Sequence, residues 1–200
     1  MQGLWNSFLL AVCQQALDLL QGVDDAGNGH IVVQCHHKVG SVLGNIHVHI
    51  PVAGQQLGLA VRAAGCKKKV LFARFLKNEN SGELNILDSI SDIEVLHLEK
   101  SYGFYKTLTE KEKKEVKKLY EALWNEVLRK VSGGSYDVLV MDEFMAAYRY
   151  GLIPNEEALC FLEKKPTGLE VVLTGRDPDL RLVEKADYVS EICKVKHPYD

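Results

Sequence analysis

Short, nearly continuous apolar runs, separated by helical patterns, constrain the fold of this chain more than any other feature of its sequence. Such runs indicate strands that are buried on both faces, which is the pattern of a parallel sheet. The runs span residues 70–75, 93–98, 138–141 and 171–174, and a β-rich run at residues 46–50 precedes them. The sequence therefore predicts a parallel sheet built from these segments.

The long polar segment before residue 138 carries the signature of an amphipathic helix. Thr109 and Glu112 form a capping-box pattern, in which the Glu112 amide donates to the threonine hydroxyl and the glutamate side chain reaches back to the cap. The helix is predicted to run to about residue 131, and Gly133 and Gly134 are expected to end it. Its apolar face repeats at helical spacing and comprises Val116, Leu119, Tyr120, Leu123, Val127 and Val131.

Three further helices are predicted between the apolar runs. A helix of small residues is expected at residues 57–64. Asn155 is expected to cap a second helix, and Pro178 to occupy the first helical position of a third, after Asp177. Strands that alternate with helices define an α/β domain with right-handed crossover connections.

Residues 1–43 interrupt this alternation. We therefore divide the chain into an N-terminal segment without an assigned fold, residues 1–43, and an α/β domain, residues 44–200. The first segment holds several potential metal ligands, but they follow no established ligand spacing, and an irregular segment is favoured over a metal site. These residues are His30, Cys35, His36 and His37, with His47 and His49 nearby.

Charge and cysteine usage exclude several function classes. The net charge of −3 gives no electrostatic reason to expect a nucleic acid as partner. The five cysteines are scattered and form no CxxC pair, which predicts reduced thiols and a cytoplasmic location. The apolar stretch at residues 9–12 is too short to span a bilayer and follows no basic residue, so no membrane segment is expected.

Two carboxylates follow the apolar run at residues 138–141. Ligands gather at the carboxyl ends of parallel strands, and carboxylate oxygens suit Mg²⁺, which usually also bridges to substrate phosphates. Asp142 and Glu143 are therefore candidate magnesium ligands. The alternative is a strand that ends in solvent, with the acids capping the next element, and the pattern alone does not decide between the two.

Two other stretches carry residues suited to ligand binding. The run at residues 171–174 ends in Thr174, Gly175 and Arg176; the glycine permits close backbone approach, and the guanidinium offers a planar fork for phosphate. A structural salt bridge is the alternative for Arg176. Phe104 and Tyr105 lie on a loop, where adjacent aromatic residues either meet a flat ligand or cover the core, and the residues alone favour the core.

Taken in order, the stretches of this chain resemble the P-loop corrinoid adenosyltransferases, which adenosylate cob(I)alamin and cob(I)yrinic acid a,c-diamide. The resemblance runs from about residue 44 to residue 200 and rests on the combination, since no single piece is specific. The matching stretches are LGLAVRAAG with KKVLFARFLK, NSGELNIL, SYGFYKT, YDVLVMDEFMAAYRYGLIPNEEAL, VVLTGRDPDLRLVEKADYVSEI and KVKHPYD. The resemblance implies a RecA-like, doubly wound α/β fold of the P-loop NTPase type, and a homodimer.

The resemblance also implies a reaction. Cobalt(I) of the corrinoid attacks the 5′ carbon of ATP, the 5′-deoxyadenosyl group is transferred, and triphosphate leaves. The difficult chemistry belongs to the corrinoid, so no general base is required. The cofactors implied are ATP and Mg²⁺, with the corrinoid as the second substrate.

Roles carry over by position in the matching stretches. Asp142 and Glu143 match the metal-binding pair, and Phe104 matches the aromatic residue that crowds the lower face of the corrin. The usual companion of that aromatic falls on Lys106, and Tyr105 is the residue that can substitute for it. The positions that match the nucleotide pocket, or lie near it, are Thr174, Gly175, Arg176, Lys77, Glu83 and Gly54.

The phosphate-binding loop is where this chain departs from the family. A GxGKGKTT-type loop is expected before LGLAVRAAG, but IPVAGQQ stands there, with Gly54 as its only glycine. The loop lysine and the metal-binding Thr or Ser are absent, and Pro51 removes one amide donor. One charge-assisted hydrogen bond is worth about 1.5–3 kcal/mol, so the loss of several predicts an ATP affinity weaker by orders of magnitude.

Two alternatives follow from the altered loop. The first is a catalytically impaired homologue that still binds a corrinoid but has lost its triphosphate site. The second is a shifted reading frame or an altered gene, which would account for both the loop and residues 1–43.

Overall fold

The computed structural model describes residues 46–50, 55–76, 82–100 and 102–191. Six strands form one sheet: β1 (Ile46–Ile50), β2 (Val70–Arg74), β3 (Ile93–Leu96), β4 (Val138–Asp142), β5 (Glu170–Thr174) and β6 (Tyr188–Glu191). Their order across the sheet is β3-β2-β4-β5-β1-β6, and every neighbouring pair is parallel. The predicted parallel sheet is confirmed.

Helices connect the strands and cover the sheet. The described helices are α1 (Gln55–Gly65), α2 (Gly82–Asp88), α3 (Glu110–Ser132), α4 (Phe144–Arg149), α5 (Asn155–Lys164) and α6 (Leu180–Lys185), with a 3₁₀ turn at Tyr105–Thr107. No helix in this part of the chain combines the length and the apolar character that are needed to cross a bilayer.

The sheet is buried on both faces. All five residues of β2 are buried, and so are all five of β4. Leu71 and Ala73 of β2 belong to one apolar cluster with α3, α4, α5 and α6, whereas Val70 and Phe72 belong to a second cluster with the alanines of α1. Alternate residues of one strand thus pack against opposite layers, which is why the strands read as continuous apolar runs.

The capping box of α3 is present as predicted. The Thr109 amide donates to Glu112 Oε2 at 2.8 Å, and the Glu112 amide donates to Thr109 Oγ1 at 3.3 Å. The hydrogen bond from the Thr109 side chain is the main reason that the pKa of Glu112 lies below its ordinary value. The helix ends where predicted, with Gly133 at its C-cap.

Removing this cap tests how much the box contributes. Thr109→Ala is expected to lower the free energy of unfolding by about 1 kcal/mol at pH 7, because one helix-end amide loses its acceptor. The depressed pKa of Glu112 means that its share of this stabilisation is present above the unfolded pKa, near 4.5, and is lost as pH falls through the folded value. Urea unfolding at pH 7 and pH 3 measures the difference, which should shrink in acid.

Lys118→Ala is the matched control, since this lysine is exposed on the same helix. It should leave the free energy of unfolding within about 0.5 kcal/mol of the wild-type value. Equal effects of the two substitutions would contradict a stabilising role for the cap.

Two predicted helix starts are wrong. The third predicted helix begins at Leu180 rather than at Pro178, because the Asp179 carboxylate accepts the Arg181 amide at 2.9 Å and so caps it. Asn155 is the first residue of α5 and not its cap. In the amide orientation that satisfies both of its polar atoms, the side chain donates to the carbonyls of Tyr148 and Ile153 at 3.1 Å, in the preceding turn. The predictions for residues 1–43 fall outside the described part of the chain.

Candidate functional site

The carboxyl ends of β4 and β5 bring two predicted site residues into direct contact. Asp142 is the last residue of β4 and Thr174 the last residue of β5. The Thr174 hydroxyl donates to Asp142 Oδ1 at 3.0 Å, and both side chains are about 98% buried or more, with exposed fractions of 2% and 1%. The adjacent strands thus place these polar residues in one buried cluster at the edge of the sheet.

A third member of this cluster, Gln56, comes from the start of α1. Its Nε2 donates to Asp142 Oδ1 at 2.7 Å, and its side chain is only 4% exposed. Sequence reasoning missed this residue. The available signal was its place in the first turn of a helix that, apart from Gln55 and Arg62, is otherwise made of small and apolar residues.

Glu143 occupies a strained turn between β4 and α4. Its backbone is left-handed, with φ 57° and ψ 25°, a conformation that is uncommon outside glycine and that clusters at functional sites. Its amide donates to the Thr174 hydroxyl at 3.1 Å. One hydroxyl therefore donates to Asp142 and accepts from Glu143, and it fixes the two acids relative to β5.

Gly175 permits a close approach between β5 and α4. Its φ of +138° is one that L side chains rarely adopt, and a Cβ at this position would lie 2.6 Å from the Met145 Cβ. The close backbone approach predicted for this glycine is therefore made to Met145.

Arg176 is exposed just beyond this glycine and forms an ion pair with none of the described residues. The structural salt bridge considered for it has no counterpart there. The neighbouring Asp177 is the paired residue, since it accepts from Arg149 Nη1 at 2.7 Å.

The two loop aromatics have different environments. Phe104 is 84% exposed, so the core position that the residues alone favoured is wrong for it. Tyr105 begins the 3₁₀ turn, is half-buried, and stacks on Tyr150 with ring centroids 4.6 Å apart at an angle of 26°. The turn separates the pair: Tyr105 packs inward, and Phe104 at its cap stays in solvent.

A chain of contacts joins the aromatic loop to the sheet edge. Tyr150 follows α4, and the guanidinium of Arg149 lies 5.6 Å from its ring centroid. Arg149 in turn pairs with Asp177, next to Arg176. The loops that follow β3, β4 and β5 are thus linked through Tyr105, Tyr150 and Arg149.

Arg74 is a second residue that the sequence analysis did not identify. It is the last residue of β2 and lies beside Asp142. It is 4% exposed, and its Nη2 lies 3.7 Å from Oε1 of Glu83, one of the residues predicted near the pocket. Tyr120 fixes the chain just beyond, because its hydroxyl oxygen accepts the Leu76 amide at 2.9 Å. Burial raises the pKa of Tyr120, so this phenol stays neutral at physiological pH.

Gly54 and Lys77, the two other predicted nucleotide-binding residues, lie outside the described part of the chain.

An all-parallel sheet with helices on both faces defines a doubly wound α/β protein, and the buried carboxylate at the carboxyl end of a central strand is consistent with a P-loop NTPase-like domain. Residues 54–200 match the family described as ATP:corrinoid adenosyltransferase BtuR/CobO/CobP. The chain belongs to this family.

Named relatives agree with this assignment. The corrinoid adenosyltransferase of Escherichia coli (strain K12) is 30% identical over 145 residues, which cover 72% of this chain and 71% of the relative. Corrinoid adenosyltransferase CobA of Salmonella typhimurium (strain LT2) shows the same identity over the same shares of the two chains. The corrinoid adenosyltransferase of Pseudomonas aeruginosa is 28% identical over 143 residues, or 71% of this chain and 69% of the relative.

Proposed function

We propose that this chain transfers the 5′-deoxyadenosyl group of ATP to cobalt(I) of a corrinoid and releases triphosphate. Family membership over residues 54–200 supports the reaction class. The observation that carries the proposal for this chain is the hydrogen bond between Thr174 and Asp142, because it joins two of the matching stretches at one ligand-binding edge.

The reaction asks the protein for binding and orientation. A cobalt–carbon bond forms as the bond between the 5′ carbon and the triphosphate oxygen breaks, and the electron pair leaves with triphosphate. Cobalt(I) supplies the electrons, so no side chain has to remove a proton. The work left to this chain is to hold the ribose carbon against cobalt and to balance the charge of the leaving group.

The described residues suit these tasks. The exposed guanidinium of Arg176 is a planar donor for a phosphate oxygen, and Thr174 and Gly175 shape the edge beneath it. Phe104 offers an exposed aromatic ring to the corrin. Tyr105 stacks on Tyr150, so its role in the proposal is to hold the loop that presents Phe104.

The donor set at the sheet edge fits a magnesium ion. Mg²⁺ is usually bound through one or two carboxylates together with substrate phosphates and water. Asp142 and Glu143 supply carboxylate oxygens. Because no group of three or more His, Cys, Asp or Glu able to hold a metal occurs among the described residues, substrate phosphates and water would complete the ligand set. These two acids would hold the ion, which when bound neutralises charge on the triphosphate.

The altered loop sets the expected affinity. Gly54 and Lys77 complete the proposed nucleotide site, but without the loop lysine the triphosphate has fewer charged partners. We therefore expect a KM for ATP well above that of a chain with an intact loop.

The test is an anaerobic assay with ATP, Mg²⁺ and a chemically reduced corrinoid. A light-sensitive adenosylated product, formed faster than in a protein-free control, supports the proposal. Corrinoid binding with no product, and with no ATP binding by calorimetry, would instead establish the impaired homologue. A homodimer belongs to the proposal on the resemblance alone, and sedimentation analysis tests it. A cytoplasmic location belongs to the proposal on the cysteine usage.

Phe104→Ala separates the aromatic contact from stability. Because the ring is 84% exposed, the free energy of unfolding should change by less than about 0.5 kcal/mol. The transfer rate at limiting corrinoid should fall about tenfold, the cost of a lost aromatic contact of about 1.4 kcal/mol. Ile86→Ala is the control, since Ile86 is also exposed, at 61%, but lies on α2. A normal rate in Phe104→Ala would remove this residue from the site.

A further inference from the structure

The side chain of Gln56 is engaged at only one of its two polar atoms. Nε2 donates to Asp142 Oδ1 at 2.7 Å, whereas Oε1 is buried and has no hydrogen-bond partner among the described residues. A buried carbonyl oxygen without a partner costs free energy, and native proteins rarely keep one unless a ligand or a water satisfies it. The Oε1 atom therefore marks a place where a ligand is expected.

The surroundings of this oxygen indicate which ligand fits. Gln56 lies in the first turn of α1, whose leading amides have no partner within the helix and favour anionic groups. The Asp142 carboxylate next to it favours a cation. A ligand that combines a cation with anionic oxygens, such as a divalent metal ion bound to a polyphosphate, satisfies both neighbours and the lone pairs of Oε1.

A carboxamide can also do chemically what the missing loop residue does. A loop Ser or Thr hydroxyl can donate its proton to a carboxylate while a lone pair of the same oxygen contacts Mg²⁺. Gln56 divides these two tasks between two atoms. Nε2 is the donor to Asp142, and Oε1 is left as the neutral oxygen ligand.

We propose that Gln56 replaces the absent loop hydroxyl and that its Oε1 is a ligand of a divalent cation held beside Asp142. This inference rests on the proposed function, because the cation is the one that would accompany ATP. It assigns to this chain a metal ligand from α1 that the phosphate-loop pattern does not supply.

Mn²⁺ alone is the probe, measured by the loss of its free electron paramagnetic resonance signal and by the shift in Tm. Wild type should bind Mn²⁺, and Gln56→Leu, which removes the oxygen at similar size, should bind it at least about tenfold more weakly. Asp137→Asn is the control, because Asp137 pairs with Lys68 at the other end of β4. It should bind Mn²⁺ as wild type does.

Gln56→Glu gives a second measurement that does not depend on the stability of the leucine variant. A carboxylate next to Asp142 repels it, so Tm without metal should fall, and Mn²⁺ should bind more tightly than in wild type and restore Tm. If Gln56 only held α1 against β4 and bound no metal, Gln56→Glu would lower Tm and Mn²⁺ would not restore it.

The inference is overturned if wild type binds no Mn²⁺, if Gln56→Leu binds it normally, or if Mn²⁺ fails to restore Gln56→Glu. The adenosylation assay distinguishes this failure from that of the proposed function. If wild type turns over and Gln56→Leu binds Mn²⁺ as wild type does, only the metal-binding role of Gln56 is contradicted. If Mn²⁺ binding depends on Gln56 but wild type shows no turnover, only the proposed adenosyl transfer is contradicted.

Discussion

Gly175→Ala is expected to lower the free energy of unfolding by about 3–5 kcal/mol, as the sum of a strained backbone and an overpacked contact. The added Cβ would lie 2.6 Å from the Met145 Cβ and 3.0 Å from the Met145 amide nitrogen. Both neighbouring atoms are fixed in α4, so no flexible side-chain end can move aside. The φ of +138° adds strain for any residue with a Cβ.

Two other glycines isolate the causes. Gly168 also has a positive φ, +87°, but a Cβ there meets nothing within 4 Å, so Gly168→Ala should cost only about 1–2 kcal/mol. Gly58 lies in α1 with open space around it, and Gly58→Ala should stabilise by about 0.5–1 kcal/mol. Urea unfolding ranks the three variants. Equal losses of unfolding free energy for Gly175→Ala and Gly168→Ala would show that contact with Met145 adds nothing to the cost of a side chain at position 175.

Asp142→Asn is expected to lower kcat/KM for adenosyl transfer by about 100-fold, a magnitude typical of altered metal sites. The asparagine oxygen can still accept from Thr174 and Gln56, so the cluster should persist at a cost of about 1 kcal/mol in unfolding free energy. The substitution thus removes the charge and keeps the shape. Steady-state kinetics and urea unfolding on the same preparation measure the two effects.

Asp137→Asn makes the same chemical change at the opposite end of β4, where Asp137 accepts from Lys68 Nζ and the Lys69 amide, both at 2.9 Å. Its kcat/KM should stay near the wild-type value. If Asp142→Asn retains full activity, or if both variants lose it equally, the carboxylate at the sheet edge has no special part in transfer.

The central strands were predictable because strands buried on both faces are runs of consecutive apolar residues. β2 and β4 are apolar at every position but the last, where Arg74 and Asp142 stand, since helices cover both faces. The edge strand β6 escaped prediction because Tyr188–Glu191 mixes polar and apolar residues that are half-buried or exposed. The short helices α2 and α4, of 7 and 6 residues, carry too few turns for a clear periodic signal.

The candidate site likewise contains residues that the sequence predicted and residues that it did not. Asp142 and Thr174 were predicted together because each ends an apolar run, and neighbouring parallel strands end at one edge. Gln56 was missed because its partner Asp142 is 86 residues away, and its place at the start of α1 does not indicate which residue it bonds to. The contrast between Phe104 and Tyr105 depends on a single 3₁₀ turn, which aromatic content alone does not specify.

The position of β1 between β5 and β6 has a consequence for biosynthesis. Ile46 donates to the Asp187 carboxylate across 141 residues of sequence, and β1, the first of the described strands, pairs with β5 and β6, the last two of them. A nascent chain must keep β1 unpaired until β5 and β6 have emerged. The sheet therefore closes after most of the polypeptide has been translated, and pairing at such long sequence separation is slow to form.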